Sequence, residues 1–83
     1  MNEVMKSVVR DLLNGNEAAK AAHLAMLNRG LSKIDADAEI GRALLGCLWE
    51  VNRGMVDRLD DVFNALARGL TCVELFPDEL YED

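Results

Sequence analysis

Residues 36–53 read Ala-Asp-Ala-Glu-Ile-Gly-Arg-Ala-Leu-Leu-Gly-Cys-Leu-Trp-Glu-Val-Asn-Arg, and their periodicity decides the fold class. Ile40, Ala43/Leu44, Cys47/Leu48 and Val51 recur at the spacing of an apolar stripe on an α-helix. Leu45 and Trp49 widen the stripe towards another face. A helix apolar over so much of its circumference calls for neighbours on most sides, so this one is expected at the centre of a helical bundle. Gly41 and Gly46 lie inside it. Each costs about 1 kcal/mol against alanine in a helix interior, which points to close helix contact or a kink there.

The flanking stretches follow the same period. Val4/Met5, Val8/Val9 and Leu12/Leu13 predict a helix over residues 3–13, stopped by Asn14-Gly15-Asn16. Asn16 is a candidate cap for an alanine-rich helix over 17–29, in which Leu24, Met26 and Leu27 supply the bulk. Ser32 and Asp35 are candidate caps for the central helix. Leu59, Val62/Phe63, Leu66/Ala67 and Leu70 predict a fourth helix over 57–68.

Three helix ends share one pattern: Arg29-Gly30-Leu31, Arg53-Gly54-Met55 and Arg68-Gly69-Leu70. Each lies where the apolar period ends. The expected role is C-capping: glycine takes a left-handed conformation, arginine offsets the negative end of the helix dipole, and the next apolar residue packs back.

The expected fold is therefore all-α, a small bundle of about four antiparallel helices over residues 1–70, followed by an acidic segment, 71–83, with apolar anchors. The expected core is Val8, Leu12, Leu27, Ile40, Leu44, Cys47, Leu48, Val51, Leu59, Val62, Phe63 and Leu66.

Charge sharpens the division. The 83 residues carry 15 acids and 9 bases, a net of -6. Residues 1–70 hold ten of the acids and all nine bases, while Glu74, Asp78, Glu79, Glu82 and Asp83 fall in the last thirteen residues with no base among them. The body is near neutral and the excess belongs to the tail. Scattered bases in an acidic chain do not make the clustered cationic surface that nucleic acid requires. The segment Leu24–Ser32 and the helix after it have the outline of a helix-turn-helix. However, Met26 stands where that motif needs a small residue, and Asp35, Asp37 and Glu39 would meet phosphates with like charge.

Chemistry has few footholds. His23 is the single histidine, and no HExxH, CxxC or Glu-x-x-His spacing accompanies it. Cys47 falls on an apolar stripe and Cys72 has no basic neighbour in sequence that would lower its pKa. No catalytic residue, cofactor or metal site is expected. An enzymatic reading would rest on His23 and a cysteine alone. No apolar run is long enough to span a membrane. The opening residues show no basic head followed by an apolar stretch, so the expectation is a cytoplasmic chain with reduced cysteines.

The expected function is that of a non-enzymatic interaction or regulatory protein with a protein partner, self-associating as a homodimer through the wide face marked by Leu45 and Trp49. Leu75, Phe76, Asp78, Glu79, Leu80 and Tyr81 are the candidate partner-binding residues: apolar anchors for a groove and acids for a basic rim. The same anchors could instead fold back over the chain's own core. The alternative function is an acidic inhibitor, or immunity-type protein, that blocks a basic nucleic-acid-binding surface.

Overall fold

The computed structural model describes residues 2–77. The described residues form five helices: α1 (Glu3–Gly15), α2 (Glu17–Asn28), α3 (Lys33–Asn52), α4 (Leu59–Ala67) and the single turn α5 (Cys72–Leu75). Among the described residues there is no strand, so the protein is an all-α bundle. No helix among them is long and apolar enough to cross a membrane.

Local chemistry sets the helix ends. The side chains of Asn2, Asn16, Ser32 and Thr71 accept hydrogen bonds from the backbone N–H three residues on, which satisfies donors the first turn leaves open. Ser32 takes this role before α3, so the helix starts at Lys33 and Asp35 lies within its first turn. Asp57 accepts from the Leu59 N–H at 3.0 Å, holding the chain outside the helix until Leu59.

The three Arg-Gly-apolar stops behave alike. Gly30, Gly54 and Gly69 have φ of 101°, 85° and 107°. In each stop the glycine N–H reaches back three residues, and the following N–H reaches back five, to Met26, Glu50 and Ala65. That is the Schellman arrangement. Packing of the apolar follower is not uniform: Leu31 joins the core, whereas Met55 remains exposed.

Packing is built on small residues. Ala19 and Ala22 of α2 are fully buried, and α2 makes its most extensive contact with α4. Without bulky side chains at the seam the two helices can approach closely. Met26, Ile40, Phe63, Leu66 and Phe76 fill the remaining space. On α3 the buried side carries Ala36, Ile40, Ala43, Cys47 and Glu50. Leu48 and Val51, expected in the core, are instead 51% and 44% exposed. A bundle of this size offers α3 neighbours on one side, and the alanine-rich side admits them most closely. On α1 the stripe is rotated by one residue from expectation, with Val9 buried and Val8 exposed.

Two residues of the segment after α4 join this core. Cys72 and Phe76 are fully buried and α5 packs on α3. Gly46 makes room for Phe76: a Cβ at Gly46 would lie 2.8 Å from the ring.

Candidate functional site

One concavity among the described residues is an open groove of about 700 Å3, lined by residues of α1, by the first two turns of α3 and by His23 of α2. α1 contributes Lys6 and Arg10, one turn apart and therefore on one face of the helix, together with Val9 and Leu13. α3 contributes Lys33, Ile34, Asp37 and Ala38.

At its base His23 Nε2 lies 2.7 Å from Asp37 Oδ1, and Lys33 Nζ donates to Asp37 Oδ2 at 2.8 Å. Burial pushes the Asp37 carboxyl up, but the hydrogen bonds and charges of Lys33 and His23 outweigh it, and the group is held below its ordinary value. Both carboxylate oxygens are thus engaged. Among the described residues the lining carries Lys6, Arg10 and Lys33 against this one carboxylate, with Lys33 paired to Asp37 and Lys6 to Glu3 at 3.6 Å. Ile34 stands at the groove with 80% of its surface exposed. A groove lined by both apolar side chains and cations suits an occupant that is itself acidic and apolar.

Among the described residues no serine, threonine or cysteine lines the groove beside the His23–Asp37 pair. Cys47 and Cys72 are buried. Burial, followed by the charge of Glu50, pushes the Cys47 thiol up to about 11. Burial and Glu39 push Cys72 up to about 12. The Cys72 thiol donates to the Glu39 carbonyl at 3.3 Å while its backbone N–H donates to the Glu39 carboxylate at 3.2 Å. Both sulfurs are held towards the thiol form. Among the described residues no three His, Cys, Asp or Glu side chains gather as a metal site.

A second feature is the side of α3 that the core leaves bare. Leu45 is 52% exposed, with Leu48 and Val51 following it at helical spacing, and Met55 and Val56, past the helix end, are exposed as well. Trp49 is half-buried beneath the Arg53 guanidinium, 4.3 Å from its ring centre.

The third feature holds the end of the described chain. Arg58 donates from Nε and Nη2 to the two oxygens of buried Glu50, at 2.8 and 2.7 Å, and from Nη2 to the Leu75 carbonyl at 2.9 Å. The same guanidinium stands 4.9 Å from the Phe76 ring centre.

Of the residues singled out from sequence, Leu45 lies on the exposed face and Trp49 at its edge, while Leu75 and Phe76 pack inside the bundle. Asp78, Glu79, Leu80 and Tyr81 lie outside the described residues. Sequence reading passed over the groove. The one signal for it was the i, i+4 pair Lys6/Arg10; the pairing of His23 with Asp37 joins two helices and leaves no spacing to read. No known protein family matches the sequence, and no curated protein or solved structure matches it either.

Proposed function

We propose that this chain is a non-enzymatic interaction protein that acts as a homodimer, with the bare side of α3 as its self-association face. The observation that carries this reading is the exposure of Leu45, Leu48 and Val51 on one helix whose opposite side already fills the core. A second copy is the occupant that the economy of the fold favours. The chain is short, and alanines make up much of its buried apolar set, so its own core is thin. Covering three aliphatic side chains across a two-fold axis adds to that core what the single chain lacks. The thiols are buried and held towards the protonated form, and neither lines the groove with His23, which supports a role in binding over catalysis. The inhibitor reading has less support, because the cations Lys6, Arg10 and Lys33 gather at one groove of an otherwise acidic chain.

Light scattering coupled to size exclusion tests this reading. A dimer is expected at tens of micromolar, and Leu48→Glu, which alters an exposed position, is expected to give a folded monomer. A wild-type monomer at that concentration overturns the proposal.

A further inference from the structure

We propose that the groove between α1 and α3 receives the acidic segment 78–83 of a second copy of the chain, so that the dimer is closed by exchanged tails. This rests on the self-association reading and adds the charged half of the interface.

The segment and the groove are complementary in charge. The segment reads Asp-Glu-Leu-Tyr-Glu-Asp, acids on both sides of two apolar residues. The groove presents the inverse, with Lys6, Arg10 and Lys33 around Val9, Leu13 and Ile34. Its volume of about 700 Å3 is of the size that holds one or two large side chains. The carboxylate already present is engaged within the groove, since Asp37 is paired with Lys33 and hydrogen-bonded to His23.

Geometry then selects a second copy over the segment's own chain. Phe76 is fixed against Gly46. Gly46 and Asp37 stand about two and a half turns apart on α3, on opposite sides of the helix and about 14 Å along it. A path from one to the other around the helix is about 20 Å, whereas Leu80 and Tyr81, four and five residues past Phe76, reach about 13–18 Å. The segment's own chain therefore falls short of seating them in the groove, while a partner's segment enters from outside and need not follow that path. Ile34 and Leu45, about three turns apart, lie on the same side of α3, so one approaching copy meets the groove and the bare apolar face together. Reciprocal insertion is then an isologous arrangement, closed at two copies.

A charge-swap experiment on the full chain tests this. One variant carries Lys6→Glu and Arg10→Glu; the other carries Asp78→Lys and Glu79→Lys. Each alone is expected to dimerise at least tenfold more weakly than wild type, by sedimentation equilibrium. An equimolar mixture is expected to recover wild-type affinity, because in the mixed pair each altered groove meets an altered tail and each native groove a native tail. Circular dichroism confirms that both variants are folded. Wild-type affinity in either variant alone overturns the exchange, as does a mixture that stays as weak as its components; the latter marks the groove as a site for another anion or for the segment's own chain. The two proposals fail separately: undiminished dimers in both charge variants with monomeric Leu48→Glu leave the apolar face standing, whereas a monomeric wild type removes both.

Discussion

Arg58 and Glu50 form a two-point salt bridge across the bundle, Nε to Oε1 at 2.8 Å and Nη2 to Oε2 at 2.7 Å, with the carboxylate almost wholly buried. The pair joins the last turn of α3 to the start of α4 and, through the Leu75 carbonyl, to the turn that follows. A buried carboxylate is tolerated only where such bonds replace its hydration.

Replacing Arg58 by alanine removes the guanidinium that neutralises Glu50 and strips a cation from the Phe76 ring. The expected loss is about 2–4 kcal/mol, below the upper range for buried pairs because Arg58 is itself one-third exposed. Urea midpoints report it. Arg58→Met combined with Glu50→Gln is expected to lose less than Arg58→Ala, because the uncompensated charge goes with the pair. A double variant as unstable as the single one would show that charge is not the governing factor.

Gly46→Ala tests the slot under Phe76. Alanine gains about 1 kcal/mol of helix propensity, yet its Cβ would sit 2.8–2.9 Å from three atoms of a ring that is fully buried and cannot swing away. Overpacking of this kind costs about 1–3 kcal/mol, so a net loss of stability is expected. Phe76→Leu in the same chain is expected to relieve part of it. A Gly46→Ala chain with a raised melting temperature would contradict this packing.

Asp37 makes stability depend on pH in a definite direction. Its folded-state pKa lies below the unfolded value, so in acid the unfolded chain binds the proton first and stability rises with pH. The contribution is complete above the ordinary aspartate range and is lost as pH falls through the folded value. Asp37→Asn is therefore expected to be less stable than wild type at neutral pH, with the gap closing in acid. Urea unfolding at a series of pH values between 2 and 7 measures the gap; a gap that widens in acid has the wrong sign for this pairing.

Thiol chemistry provides an independent probe of the core. With Cys47 near 11 and Cys72 near 12, about one thiol in a thousand or fewer is ionised at pH 8, and both are shielded. Native protein is expected to leave Ellman's reagent almost unreacted over minutes, while denaturant releases two equivalents. Rapid labelling of one thiol in the native state would show that α5 opens.

Much of the fold was legible because its signals are local. Asn16, Ser32 and the three Arg-Gly stops act within six residues of themselves, and each sits where the sequence put it. Periodicity found the stripe of α3 but not its orientation. Leucine is more apolar than alanine, yet Ala36 and Ala43 face the core and Leu48 does not, because close approach of neighbouring helices selects small side chains. The groove was illegible for a different reason. Lys6, His23 and Asp37 come from three helices, and only the packing brings them together.

The three glycine stops also bear on how the chain reaches this structure. Each closes its own ring of hydrogen bonds without help from the core, so the bends exist as local preferences before any helix has found its neighbour. The conformational search is then mostly over the docking of short rods whose lengths are already set. Loops between them are short, which keeps the entropy of closure small and favours folding on the fast end of the range for domains of this size.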